Sequence, residues 1–431
     1  MLIILLTRKL FFCIIMKKVL FFIVGLLIYS QLPAQQAGQN TRYDSYTGLV
    51  MAGYQGWFAA QGDESNRGWY HYGFRDDNAS IDFWPDMTEY TKKYVAPFKM
   101  PDGSNAYLFS SYDEETTDLH FRWMKEYGID GVFMQRFVSE IKSPAGKRHF
   151  NKVLENALKA ARKYDRAIGV MYDLSGCRPE DMKVLENDWK ELQTLFSLSD
   201  RKLNPTYIWH NKRPLLTIWG VGFNDNRRYS TADVQQSIGR IKQEHKVSIM
   251  LGVPYYWRIL SRDTEEDPLL HTLIKNNIDI VMPWAVGRYN NDTYAAVADG
   301  LPGDIEWCRK NKVDYVPLVF PGFSWGNLRR NTELYNQIPR LKGDFLWKQI
   351  AGAKTAGASS LYVAMFDEVD EGTAIFKCAE EGKLPLFGAK RFIGIEQGLG
   401  SDYYLWLIGE ARKWFRGAKE YNANKPVRTK K

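Results

Sequence analysis

Eight short apolar runs, each followed by polar turn residues and then by a segment of helical periodicity, set what this chain can fold into. The runs are Val50–Tyr54, Gly131–Gln135, Ala167–Tyr172, Leu215–Trp219, Ser248–Val253, Ile278–Pro283, Tyr315–Phe320 and Ser360–Phe366. Most are apolar throughout rather than alternating, as strands of a parallel sheet covered on both faces must be. Between them the spacing predicts helices. Residues 150–164 carry Phe150, Val153, Leu154, Ala157, Leu158 and Ala161 along one stripe. A second helix, 119–127, stops at Gly128, a natural C-terminal cap. The last, 403–415, puts Tyr404, Leu407, Ile408, Ala411 and Trp414 on one face and would close the ring. Eight strand–helix units predict an α/β protein, a (β/α)8 TIM barrel, as one domain over residues 35–420. A doubly wound open sheet competes, but no glycine fingerprint follows the first strand.

Residues 1–34 stand apart. Met16-Lys17-Lys18, the apolar stretch Val19–Ile28, and Ser30-Gln31-Leu32-Pro33-Ala34 read as a secretory signal peptide, with Met16 a second candidate start. An uncleaved anchor is the other reading, and an apolar core of about ten residues falls short of the roughly 20 needed to span. Cys13 lacks the small residues expected before a lipidated cysteine. The expectation is export to the periplasm, the cell surface or the medium, with no membrane span kept. The formal charge of +8 includes Arg8, Lys9, Lys17 and Lys18 of this leader, so the exported chain carries +4. Part of that excess sits in a basic tail, 421–431. So mild a balance gives no reason to invoke nucleic acid or membrane surfaces as partners. Cys177, Cys308 and Cys378 remain, too few for a disulfide framework although one bridge fits an oxidising compartment.

In a barrel of this kind the site lies at the C-terminal ends of the strands. Those ends supply Tyr54 and Trp57; Gln135 and Arg136; Tyr172 and Asp173; Trp219; Tyr255, Tyr256, Trp257 and Arg258; Trp284 and Arg288; and Trp325. Aromatic rings interleaved with Arg, Gln and Asp suit the apolar faces and hydroxyl-rich edges of sugars, which makes these the expected substrate-binding residues. Any one of these Trp residues, taken singly, is more often core than platform. The β1–α1 insertion, 58–115, is far longer than the usual connection. It holds Trp69-Tyr70-His71-Tyr72 and Asp82-Phe83-Trp84-Pro85, and reads equally as a cleft wall or as a packed subdomain on the rim.

The eighth run ends in Phe366-Asp367-Glu368-Val369-Asp370-Glu371-Gly372-Thr373, four carboxylates within five positions. Crowded like charges raise the pKa of at least one member, which suits paired acid and base chemistry; a solvated acidic turn is the bland alternative. Other chemistries fit less well. Gly322-Phe323-Ser324-Trp325-Gly326 matches the serine-hydrolase elbow, yet all six histidines precede Ser324, whereas that fold places its histidine after the serine. No two histidines have metal-ligand spacing, so neither a metal nor another cofactor is expected.

The acid segment resembles the F-N-E-W-x-E-G-T signature of glycoside hydrolase family 99, the endo-acting α-mannosidases and α-mannanases. It is more loosely similar to family 71, the α-1,3-glucanases. Tyr127-Gly128-Ile129-Asp130-Gly131-Val132 and Ser401-Asp402-Tyr403-Tyr404-Leu405 also look like these families and their "71/99-like" relatives, some of them labelled xylosidase/arabinosidase. The resemblance implies a (β/α)8 barrel, no metal, an oligo- or polysaccharide substrate, and retention of configuration through attack by the substrate 2-hydroxyl. By position it makes Glu368 the general base and Glu371 the general acid. This chain has Asp367 for the motif Asn, Val369 for its Trp, and Asp370 before the second Glu. Asp367 and Asp370 therefore stay open as alternative working acids, and the loss of the Trp is expected to alter the sugar-contacting surface. The reading is a secreted, endo-acting α-glycanase; the alternative is a carbohydrate-binding barrel that has lost its chemistry.

Overall fold

Each apolar run becomes a stave of one closed sheet. The computed structural model describes residues 43–75, 78–388 and 390–429; the expected leader with Met16 and Cys13, and the tip of the basic tail, lie outside them. The parallel strands are β1 (Val50–Tyr54), β2 (Gly131–Phe137), β3 (Ala167–Asp173), β4 (Arg213–Trp219), β5 (Ser248–Pro254), β6 (Ile280–Trp284), β7 (Asp314–Tyr315, resuming at Leu318–Val319) and β8 (Leu361–Val363). One long helix follows each: α1 (Glu114–Tyr127), α2 (Pro144–Tyr164), α3 (Met182–Phe196), α4 (Thr231–His245), α5 (Leu269–Asn277), α6 (Leu301–Lys310), α7 (Asp344–Thr355) and α8 (Tyr403–Phe415).

The pairing runs from the first piece of β7 through β6, β5, β4, β3, β2 and β1 to β8, and ends on the second piece of β7. The ring thus closes through β7 itself. Pro317 has no N–H to give and interrupts that strand. Around it, Val316 N donates to Val281 O (2.9 Å), and Pro317 O accepts from Tyr362 N (3.0 Å). The expected β7, Tyr315–Phe320, is therefore present as a stave interrupted at Val316-Pro317 and ending at Val319.

Successive side chains alternate between the lumen and the helix layer. Met51, Phe133, Met171, Met250, Met282 and Tyr362 fill the lumen, while Ala52, Val132, Val170, Ile218, Leu251 and Val363 join the core under the helices. Burying one such Leu, Val or Phe side chain stabilises the fold by about 1.5–3 kcal/mol. The stripe expected on α2 is wholly buried. Gly128 caps α1 at φ 83°, and Pro144 opens α2 behind Ser143, whose hydroxyl accepts from Gly146 N (3.0 Å).

At the N-terminal face of the barrel, buried Asp130 accepts from Val50 N, Arg412 Nε (2.8 Å) and Arg416 Nη2 (2.7 Å), pinning α8 across the start of β1 and β2. Tyr127 donates to Asp402 at 2.6 Å on the same face. The insertion is a packed subdomain: a hairpin, Tyr94–Lys99 with Asn105–Leu108, joined by single bridges to the 378–395 segment. No helix among the described residues is long and apolar enough to cross a membrane. Cys177, Cys308 and Cys378 are buried and free.

Candidate active site

The chain leaving β8 folds back on itself. Met365 N donates to Thr373 O (3.1 Å), Ala374 N to Glu368 O (2.8 Å) and Phe376 N to Phe366 O (2.9 Å). Two other loops grip this acid loop, the insertion and the β7–α7 connection. Asp82 N and Phe83 N from the insertion donate to Val369 O at 3.0 and 3.1 Å, and Ser324 N donates to Glu371 O at 2.9 Å. Buried Arg340 donates through Nη2 to Gly372 O (3.0 Å) and Ala374 O (2.7 Å). Gly372 makes the reversal possible at φ +63°, where a Cβ would come within 2.9 Å of Ser324 Cβ and 3.0 Å of Ser324 N. Gly372→Ala is expected to cost about 1–3 kcal/mol through strain and to displace Glu371. A lowered denaturation midpoint together with lost turnover is the expected outcome.

The four carboxylates hold four different positions. Asp367 is buried, its oxygens accepting from Gln55 N (2.7 Å) and Gly56 N (3.0 Å). Burial lifts its pKa to about 7 against those two N–H bonds. It fastens the β1 end to the acid loop. Glu368 is recessed, accepting from Gln55 Nε2 and Thr373 Oγ1, both at 2.7 Å. Burial first, then Glu371 and Asp370, push its pKa well above the carboxylate range. Asp370 is also buried, with Oδ2 3.7 Å from His71 Nδ1. Glu371 alone of the four is half-buried. Burial and then Asp370 push it up to about 7, with Arg329 opposing.

Val369, where the resembled motif has Trp, is buried in the helix-side core. That departure changes packing rather than the cleft surface, contrary to expectation. Ser324 is a clamp rather than a nucleophile: its hydroxyl donates to Asp82, which also accepts from Gly326 N and Asn327 N at 2.8 Å.

Strand alternation sorts the expected sugar-binding residues. Trp219, Tyr255, Trp284 and Trp325 pack against the lumen cluster at the mouth, with the Trp219 and Trp284 rings 5.1 Å apart. Gln135 reaches Tyr362 Oη (3.2 Å) inside the lumen. Half-buried Asp173 is raised by burial and lies close enough to raise Glu371 in turn. Trp57 is buried as one layer of a wall, stacked on His71 at 3.8 Å and on Phe137 at 4.8 Å.

Of the others, Tyr54, Arg136, Tyr172 and Trp257 are corrections, because they are buried outside the lumen, while Tyr256, Arg258 and Arg288 are half-buried and paired with neighbours. Tyr54 bonds buried His120 (2.9 Å). Arg136 and Tyr172 both bond Asp188 on α3. Trp257 is buried against Trp307, and Arg258 pairs with Asp304 on α6. Tyr256 accepts from Arg262, and Arg288 pairs with Asp263, whose oxygens also cap Tyr255 N and Tyr256 N. The sequence reading overlooked Gln55, His71, Thr373, Arg329 and Arg340. Gln55 was recoverable, since it follows Met51 and Gly53 on the inward parity. Among the described residues no three His, Cys, Asp or Glu side chains group as a metal site.

No protein-family model matches the sequence, and no curated protein matches it. Solved structures do resemble the fold. An endo-α-mannosidase of glycoside hydrolase family 99 from Bacteroides thetaiotaomicron is similar over 87% of this chain and 99% of that one, at a TM-score of 0.60 and 15% identity. This chain has the family-99-like barrel fold. The same kind of enzyme in complex with bis-tris propane gives 86% and 97% coverage, a TM-score of 0.59 and 16% identity. A glycoside hydrolase-like protein gives 79% and 97%, with a TM-score of 0.50 and 13% identity. At such identities the likeness establishes the barrel, and the chemistry must be argued from the acid loop.

Proposed function

We propose that this protein is a secreted glycoside hydrolase that cleaves α-linked polysaccharide internally with retention of configuration. The observation that carries the reading is the unequal seating of two glutamates on one clamped loop. Glu368 is recessed and held by two donors, while Glu371 is half-buried beside the aromatic mouth. A recessed carboxylate suits proton transfer with a substrate hydroxyl better than covalent capture of the sugar. Glu368 takes the proton of the 2-hydroxyl as O2 attacks the anomeric carbon. The glycosidic bond breaks, and Glu371 gives its proton to the leaving oxygen. Water, deprotonated by Glu371, then opens the 1,2-anhydro sugar while Glu368 returns its proton to O2. Two inversions give net retention. Export rests on the leader, and internal cleavage on the family resemblance.

The pair works with one proton shared between its members. Burial raises both members, Glu368 the more; Gln55 and Thr373 donate to Glu368 and favour its ionised form, with the proton on Glu371, whose pKa lies at about 7. kcat/KM is therefore expected to bend downward near pH 7 and fall about tenfold per unit above it. A profile still flat at pH 9 would remove Glu371 as the acid. The broader test is incubation with α-mannans, α-glucans and arabinoxylans, following product size. Oligosaccharides released early support an endo-acting hydrolase, and release from none of them would end the reading.

A further inference from the structure

Asp370 is an uncomfortable residue. It is buried to 4% exposure, with Oδ1 lacking a hydrogen-bond partner among the described residues and Oδ2 3.7 Å from His71 Nδ1. The groups that face it from the insertion are His71, Tyr72 and Asp82; those from its own loop are Asp367, Glu368 and Glu371. His71 is the one cation among them. A buried carboxylate among carboxylates keeps its charge only if a cation is held beside it.

His71 is held there. Its ring lies flat on Trp57 at 3.8 Å and 9°, and its Nε2 is 3.1 Å from Glu140 Oε1. Arg67 Nη2 donates to the other Glu140 oxygen at 2.6 Å, with its guanidinium 3.5 Å over the Tyr70 ring. A neutral imidazole has one N–H and could serve one of the two carboxylates. The cation donates to Glu140 and pairs by charge with Asp370 across 3.7 Å, and an aromatic face favours it further. Burial alone would lower the His71 pKa, yet Asp370 and Glu140 together hold it above its ordinary value.

We propose that His71 and Asp370 form a positioning pair for the glutamates: the His71 imidazolium, fixed between Glu140 and Asp370, holds the Asp370 carboxylate in place beside Glu368 and Glu371, where it favours the proton on Glu371. Its effect on turnover rests on the hydrolase reading above, whereas the pairing itself does not. Neither residue touches the reacting atoms. Together they tie the pH range of the acid loop to the insertion.

Two measurements test this. The first follows the His71 Cε1 signal by NMR across pH in protein carrying 13C-labelled histidine, for the wild type and Asp370→Asn. The wild-type ring is expected to remain charged at pH 7 and its midpoint to drop by about one unit in the variant. A wild-type ring neutral at pH 7, or a midpoint that Asp370→Asn leaves in place, would overturn the pairing. The second is the pH profile of kcat/KM. Asp370→Asn and His71→Gln are both expected to move the alkaline limb down by about one unit, since the first removes the carboxylate beside Glu371 and the second frees that carboxylate to turn away from it. A limb unmoved in both would overturn the effect on Glu371. Absence of turnover in the wild type would count against the hydrolase reading and leave the NMR result to decide the pairing.

Discussion

Glu371→Gln is expected to lower kcat on α-linked polysaccharide by about a thousandfold while leaving oligosaccharide affinity in place. Without a proton donor the leaving sugar departs as an alkoxide. A thousandfold loss corresponds to about 4 kcal/mol of transition-state stabilisation. Gln keeps the shape of Glu, and the acid loop holds residue 371 through its backbone carbonyl, bonded to Ser324 N at 2.9 Å. The fold should therefore survive the change. Two further results are expected. Glycosides with an aryl leaving group, which departs without a proton, should recover most of the lost rate. Glu368 should also lose the charge that presses on it and ionise at lower pH, because Glu371 is among the causes of its raised pKa. A protein that only binds sugar would show no turnover in either form, and equal turnover in both would transfer the acid role elsewhere.

The largest expected loss of stability lies outside the cleft. Asp188→Ala should destabilise the fold by about 3–5 kcal/mol, read as a lowered urea midpoint. Asp188 accepts from Arg136 Nε (2.8 Å), Arg136 Nη2 (2.6 Å) and Tyr172 Oη (2.6 Å), and Arg136 is 1% exposed. Removing the carboxylate strands a buried guanidinium and an unpaired phenol. Replacing the pair together, Arg136→Met with Asp188→Leu, should recover much of the loss, since the stranded charge is then absent. Both forms are expected to keep the wild-type KM once folded. A raised KM with unchanged stability would restore Arg136 to the sugar site.

That contrast shows where the sequence could be read and where it could not. Strands buried on both faces leave continuous apolar runs, so all eight staves were visible, with β1 as expected to the residue. Such runs do not reveal which way a side chain points, because both faces are apolar. Arg136 and Tyr172 were thus taken together with their inward neighbours Gln135 and Asp173, and Tyr54 was taken while its inward neighbour Gln55 was passed over. Once the register is known, alternation separates them without further information. The insertion follows no periodicity, and nothing in Trp69-Tyr70-His71-Tyr72 announces that His71 meets Asp370 from so far along the chain. The segments that resembled known families divide by face. Asp130 and Asp402 fasten the N-terminal face of the barrel, where conservation of structure is served, and only the β8 segment lies where chemistry is expected.

Two inversions at the hands of Glu368 and Glu371 would release the sugar from an α-glycosidic bond in the α configuration. The most direct measurement is a proton NMR time course of the first anomer released from an α-linked glycan, with wild type and Glu371→Gln run side by side. The account expects the α-anomer first from the wild type, followed by mutarotation, and no product from the variant on the same timescale. Initial release of the β-anomer, or equal release by the two proteins, would contradict it.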